Sequence, residues 1–273
     1  MFQQKVVVIT GASSGIGRAL AFAFGREGAT IVICARKVEA LTAVSQELTQ
    51  AGIPNLALRA DVSIESDMQQ LVEQTVAQYG RLDILINNAG ITMRSMVAEA
   101  DPAVFRKVMD VNFMGTVYAT RYALSHILKT KGSIVGISSI AGYRGLPVRA
   151  GYSASKFAMN GFLEALRTEL LHSGVHVLTA CPGFTTSNIR VAALDAGGNE
   201  AGESVRDETN MMTAEECADH IVKAVKKRKR ELILTTQGKL TVFLNKLFPG
   251  LTDRLVYNTL AKEKDSPLKM HNA

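Results

Sequence analysis

Val6-Val7-Val8-Ile9-Thr10-Gly11-Ala12-Ser13-Ser14-Gly15-Ile16-Gly17 is the stretch that decides the fold. A run of β-branched residues suits a strand covered on both faces, as in a parallel sheet. The glycines after it suit a tight turn into a helix, because glycine adopts backbone angles that other residues resist. Such a turn lets backbone N–H groups approach a pyrophosphate, and the next helix N-terminus adds a favourable dipole. The spacing is Gly-x-x-x-Gly-x-Gly, not the commoner Gly-x-Gly-x-x-Gly. Alone this is a weak signal, since any tight strand-to-helix turn favours glycine. Its place as the first turn of the chain strengthens it.

Outward from that stretch, β-branched runs alternate with helical patterns. Strands are predicted over 5–10, 30–35, 55–60, 82–86, 133–138, 175–181 and 231–234, and helices over about 16–27, 38–51, 64–79, 102–130, 152–172 and 213–228. This alternation predicts an α/β fold: a doubly wound, Rossmann-type parallel sheet of about seven strands with helices on both faces. One dinucleotide-binding and catalytic domain would span 1–235. Residues 236–273 would form an extension packing on it or on a neighbouring subunit. No internal repeat or linker divides the chain. Residues 184–212 have no strong period and contain Gly197, Gly198 and Gly202, so a long mobile loop of the kind that forms lids is expected.

The chain has 273 residues, 47% hydrophobic and 21% charged, which excludes a disordered or fibrous protein and allows a sizeable core. Cys34, Cys181 and Cys217 are too few and too dispersed for a disulfide framework or a four-cysteine zinc site, and are expected reduced in the core. His126, His172, His176 and His220 have no metal-ligand spacing, so no metal site is assigned. The net charge of +6 suits an anionic ligand, a membrane surface or nucleic acid without choosing among them. No run is long and apolar enough to cross a bilayer. Met-Phe-Gln-Gln-Lys leads directly into the first strand, so no cleavable signal is expected and a cytoplasmic location follows.

The end of the second predicted strand bears on the choice between nicotinamide cofactors. A carboxylate there would accept a hydrogen bond from a ribose 2′-hydroxyl and repel a 2′-phosphate. The chain instead reads Cys34-Ala35-Arg36-Lys37, with no acid before Glu39. Arg36 can fork onto a phosphate, Lys37 adds charge, and Ser13 and Ser14 offer hydroxyls. Cations at a helix start are otherwise mildly disfavoured by its dipole. The expected cofactor is NADP(H).

Further on, Tyr152 and Lys156 stand four apart and share a helix face. A free phenol titrates near pH 10. A lysine cation beside it, with the positive ring of an oxidised nicotinamide, is expected to lower that value for acid–base work. Ser139 follows the strand predicted at 133–138, at the sheet edge where ligands bind, and could hold a carbonyl oxygen against the tyrosine. Each of these features taken singly has an ordinary reading, a surface contact or a turn. Together they point to catalysis.

The chain resembles the short-chain dehydrogenase/reductase family, of the single-domain type. The residues carrying the resemblance are Thr10 to Gly17, Asp61-Val62, Asn87-Asn88-Ala89-Gly90, Asn112, Ser139, Tyr152-x-x-x-Lys156 and Pro182-Gly183, in the family's order across 5–235. The resemblance implies that Tyr152 is the acid/base and that Ser139 orients the substrate oxygen. It implies that Lys156 binds ribose hydroxyls and tunes Tyr152, and that Asn112 anchors a proton-relaying water. For the cofactor it implies contacts from Gly11, Ser13, Ser14, Gly15, Ile16, Gly17, Arg36 and Lys37, with Asp61 and Val62 at the adenine. Asn88, Ala89 and Gly90 would lie along the adenosine ribose, and Pro182, Gly183, Thr185 and Ser187 would reach the nicotinamide side. Asn87 is read as a staple of the sheet. Homodimers or homotetramers are implied through the helices at 102–130 and 152–172.

The expected activity is NADP(H)-dependent interconversion of an apolar ketone or aldehyde and its alcohol. A 3-oxoacyl thioester or 3-keto sphingoid base is the alternative substrate. A non-catalytic NADP-binding regulator would be expected to have lost Tyr152, Lys156 or Ser139, and all three are present. Lys226-Lys227-Arg228-Lys229-Arg230 reads first as a solvated helix C-terminus. With Leu240, Phe243, Leu244, Leu247, Phe248 and Leu251 at helical spacing, 226–251 also suggests a weak membrane-surface contact; the same stripe could instead close the substrate pocket or meet a neighbouring subunit. Met211-Met212 could line an apolar pocket or equally fill the core, and no nucleic-acid partner is expected.

Overall fold

In the computed structural model, which describes residues 2–186, 189–200, 202, 211–263 and 265–272, β1 (Val6–Thr10) is buried at all five positions. Its side chains alternate. Val7 and Ile9 enter one apolar cluster with Ile31, Ile33, Leu20 and Phe24, while Val6 and Val8 enter a second with Val32, Cys34, Leu71 and Leu85. A strand buried on both faces at period two needs helices on each side of the sheet. The chain supplies them in order.

After β1 come α1 (Gly15–Arg26), β2 (Thr30–Ala35), α2 (Val38–Gln50), β3 (Asn55–Arg59), α3 (Glu65–Tyr79) and β4 (Ile84–Asn87). α4 (Pro102–Met109), a π-helical turn (Asp110–Met114) and α5 (Gly115–Thr130) lead to β5 (Ser133–Ile137). A short 3₁₀ turn (Ile140–Gly142) precedes α6 (Ala150–Glu169) and β6 (His176–Cys181). Then follow α7 (Ala214–Lys226), β7 (Glu231–Ile233), α8 (Thr236–Leu247), α9 (Pro249–Ala261) and a last 3₁₀ turn (Pro267–Asn272). The strands pair in parallel in the order β3-β2-β1-β4-β5-β6-β7. The predicted seven-stranded doubly wound sheet is therefore the observed one. Its order reverses between β1 and β4, and the crevice that this opens beyond their carboxyl ends is where such sheets bind ligands.

Two predicted boundaries moved for clear reasons. β4 starts at Ile84 because Asp83 turns inward and takes the Val6 N–H, the Lys5 ammonium and the Arg81 guanidinium. The single helix expected over 102–130 is broken by the π turn at Asp110–Met114, which inserts one residue into the helical count.

The segment 184–212 is tied down where it is described. Leu194 bridges Met93, Thr185 bridges Met212, and Ala193 and Leu194 are buried. Met212 packs against the core, the second of the two places open to it. The three cysteines are free and buried, and burial pushes each thiol up to about 12, which keeps them inert.

The basic run and the apolar stripe, read together as a weak membrane-surface contact beside the plainer reading of a solvated helix end, flank opposite ends of β7. β7 enters after Arg230 and leaves towards α8, so one strand length separates them. Lys226 pairs with Glu27 at 2.6 Å, Arg228 donates to the Gly174 carbonyl at 2.5 Å, and Arg230 lies 3.4 Å from Glu164. This end of α7 is engaged with the protein itself.

Candidate active site

The carboxyl ends of six strands, β1 to β6, build the site. After β1, the turn holds Gly11 at φ +65° and Gly15 at φ +52°. A Cβ at Gly11 would fall 2.7 Å from Ala89 Cα, and one at Gly17 would fall 2.4 Å from the Gly11 carbonyl oxygen. Thr10 ties this turn to the β4 end: its hydroxyl accepts from the Asn88 and Ala89 N–H groups, each at 3.1 Å. The Asn88 side-chain amide donates to the carbonyls of Thr10 and Gly11. Asn87, read as a staple of the sheet, instead ties β4 to α5 by donating to the Thr120 hydroxyl at 3.0 Å.

A cleft of about 600 Å³ runs along these ends. Its walls include Gly11, Ser13, Ser14, Gly15, Ile16, Gly17, Arg36, Lys37, Val62, Asn88, Ala89, Gly90, Ser139, Tyr152, Lys156, Pro182, Gly183 and Thr185, so nearly every sequence-predicted residue meets there. Ser187 lies outside the described residues. Asp61 stands beside the cleft, not in its wall. Its carboxylate accepts from the Ser63 N–H and hydroxyl and sits 3.8 Å from the half-exposed Arg36. A narrow glycine-lined turn opening at a helix N-terminus, with cations at the far end, fits a dinucleotide phosphate chain.

Asn112 also stays out of the wall. The π turn swings its side chain beneath Gly90, where it accepts from Ile91 N–H at 2.8 Å and donates to Ile91 O at 2.9 Å and Ser155 Oγ at 2.8 Å. Ser155 in turn donates to the Tyr152 carbonyl at 2.7 Å, so Asn112 braces the helix that carries Tyr152. A Cβ at Gly90 would come 3.3 Å from Asn112 Oδ1, a tight approach, and 3.5 Å from Lys156 Nζ, an ordinary contact, so both side chains lie directly against this glycine.

Lys156 is buried, donates to the Ile137 carbonyl at 2.8 Å and sits 5.7 Å from the Tyr152 ring centre. Burial lowers its pKa to about 8. Burial acts on Tyr152 too and raises its phenol; the Ser139 hydroxyl bond and the charges of Arg149 and Arg190 oppose this. In the protein alone the phenol is thus raised, not lowered. The expected lowering joined Lys156 to a positive nicotinamide, and without that ring desolvation wins. Ser139, which caps the 3₁₀ turn by accepting from Ala141 N–H, is the hydroxyl nearest the phenol in chemical effect.

Several wall residues escaped the sequence reading. Arg149 and Arg190 line the cleft, and so do Leu260 and Glu263 from the end of α9 and the turn after it. Arg149 and Glu263 pair at 2.8 Å, both largely buried. Nothing local marks residues 149 and 263 as partners, since 114 positions separate them. The arginine three residues before Tyr152 was the one available hint.

The family model described as short chain dehydrogenase matches residues 5–196. The chain belongs to the short-chain dehydrogenase family. Bovine dehydrogenase/reductase SDR family member 7B is 35% identical over 97% of this chain and 84% of its own length. The 11-beta-hydroxysteroid dehydrogenase A of Arachis hypogaea is 38% identical over 93% of this chain and 76% of its own. A short-chain dehydrogenase/reductase from Burkholderia phymatum, solved with NAD, superposes with TM-score 0.83 at 26% identity, covering 92% of this chain and 95% of that one. An alcohol dehydrogenase from Thermococcus sibiricus, complexed with 5-hydroxy-NADP, shares the fold at TM-score 0.72 and 24% identity, over 84% of this chain and 95% of that one. As a short-chain dehydrogenase the protein is an oxidoreductase acting on CH–OH groups, with a site for a nicotinamide dinucleotide.

Proposed function

We propose that this short-chain dehydrogenase uses NADP(H) to interconvert an apolar ketone or aldehyde and its alcohol. The observation that carries the cofactor choice is the end of β2, where Arg36 and Lys37 line the cleft and no carboxylate belongs to that strand end. A 2′-phosphate would take over the Arg36 guanidinium from its long contact with Asp61. Ser13 and Ser14, also in the wall, add donors.

A bound nicotinamide supplies hydride exchange at the substrate carbon. The chain's residues handle the oxygen. Tyr152 exchanges the proton, with Ser139 holding the same oxygen from the opposite side. Lys156, cationic below about pH 8, supports the ribose and biases Tyr152 towards proton release. Asn112 keeps the Tyr152–Lys156 helix at a fixed distance from Gly90. Ile91, Leu146, Phe184, Ile189 and Leu260 give the wall an apolar part beside Arg149, Arg190 and Glu263, in keeping with relatives named for hydroxysteroids.

A 3-oxoacyl thioester or 3-keto sphingoid base is the second reading. It is favoured by Arg149, whose buried Nη1 has no hydrogen-bond partner among the described residues and suits a second substrate oxygen. The test of the main reading is titration of the pure protein with NADPH and NADH, followed by nicotinamide fluorescence. NADPH should bind more tightly, and Arg36→Ala should weaken it about 10- to 100-fold while leaving NADH unchanged. Equal or tighter NADH binding by the unaltered protein would refute the cofactor assignment.

A further inference from the structure

Beyond the cleft, α8 and α9 form a helical hairpin that shows solvent an apolar face. Leu240, Phe243, Leu247, Phe248, Leu251 and Leu255 are each roughly half exposed, from 47% to 58%. Leu247, Phe248, Pro249, Gly250 and Leu251 are consecutive, uncharged and all exposed, so the bend itself is the apolar tip. Single exposed leucines are ordinary, but a grouped set of this size marks a surface that meets something.

The charges of the hairpin are sorted. Its two acids are each paired with an arginine of the protein body: the exposed Asp253 with Arg144, and the buried Glu263, just past α9, with Arg149. Its cations, Lys239, Lys246, Arg254 and Lys262, are all exposed, and none makes an ion pair among the described residues. The outer face is therefore apolar with these four cations at its margin, while each of the two acids is already paired with an arginine. A second copy of the chain would have to match that margin with acids. An anionic bilayer surface supplies both the apolar layer and the negative charge.

We propose that the α8–α9 hairpin docks this protein on an anionic lipid surface, with the Leu247–Leu251 bend entering the headgroup layer. The basic run at 226–230 takes no part, because it lies at the other end of β7 and Lys226, Arg228 and Arg230 are engaged with the protein itself. Docking also places the cleft near the bilayer. α9 is about 20 Å long at 1.5 Å per residue, and its far end contributes Leu260 to the cleft wall. An apolar substrate dissolved in lipid then has a short path to the site.

The chain contains no tryptophan, so Phe248→Trp gives a single reporter on the bend. With vesicles of phosphatidylcholine containing about a third phosphatidylserine, its emission should shift to the blue and be quenched by brominated lipid. Partitioning should fall about tenfold or more on pure phosphatidylcholine and fall with added salt. Phe248→Asp with Leu251→Asp should abolish vesicle flotation while NADPH binding and turnover of a water-soluble ketone persist. Absence of any shift or flotation at low salt overturns the proposal. So does flotation that the double aspartate variant leaves intact, or equal binding to neutral vesicles. If the unaltered protein stays off vesicles and the variant only lowers the oligomer mass by light scattering, the face is a subunit interface. Because vesicle binding is read without turnover, its failure leaves the NADP(H) assignment standing, and the reverse also holds.

Discussion

Lys156 sits between two demands. Burial beneath the cleft favours its neutral form and brings its pKa down to about 8, while the Ile137 carbonyl, and the ribose proposed to bind there, call for the cation. The ammonium is present below about pH 8 and lost above it. Affinity for NADPH should therefore weaken between about pH 7 and 9. Lys156→Met should bind more weakly throughout and lose that pH dependence; a flat profile in the unaltered protein would remove Lys156 from the cofactor site. Tyr152→Phe removes only an oxygen, so turnover should drop about 10²- to 10⁴-fold with NADPH affinity nearly unchanged. These two residues and Ser139 were legible in sequence because one helix turn and one strand end bring them together. Arg149, Arg190 and Glu263 were not, because long-range packing alone delivers them. Asp61 was legible as a motif residue, yet its carboxylate is spent on Ser63 and Arg36 beside the cleft.

Among the elements, β1 and β4 carry the site, and Asp83 clamps their opposite ends. Burial would raise this carboxyl, but Arg81, the Val6 N–H and Lys5 outweigh it and hold the group below the usual carboxylate range. Its contribution to stability is then present above the unfolded value near 3.8 and is lost as pH falls through the lower folded value. Asp83→Asn should cost about 2–3 kcal/mol in urea denaturation near neutral pH, since both cations remain partly solvated. The difference from the unaltered protein should shrink in acid. Strands were readable because β-branched runs buried on both faces leave little choice of structure. The break at Asp110–Met114 was not, because one inserted residue barely disturbs a 3.6-residue pattern. Its effect is nonetheless specific: it is what turns Asn112 under Gly90.

For the molecule as a whole, the loop before α6 is fastened to the C-terminal hairpin by two arginines. Arg144 reaches Asn245 and Asp253, and Arg149 reaches Glu263. Glu263→Gln would leave a buried guanidinium without its carboxylate, and a loss of about 3 kcal/mol is expected. Because both partners line the cleft, the same variant should raise KM for the carbonyl substrate and leave NADPH affinity intact. An unchanged KM would confine the pair to a structural role. The helical stripe of 240–251 was visible in sequence, but its direction was not, because an amphipathic pattern does not say what its apolar side meets.

The fastening also imposes an order of assembly during synthesis. Every residue expected to contact the dinucleotide precedes residue 188, whereas Leu260 and Glu263 follow every other residue of the cleft wall. A chain growing from its N-terminus acquires the strands around the β1–β4 crevice long before it acquires that last wall. On the ribosome, the protein is equipped to hold its dinucleotide before it is equipped to enclose a substrate.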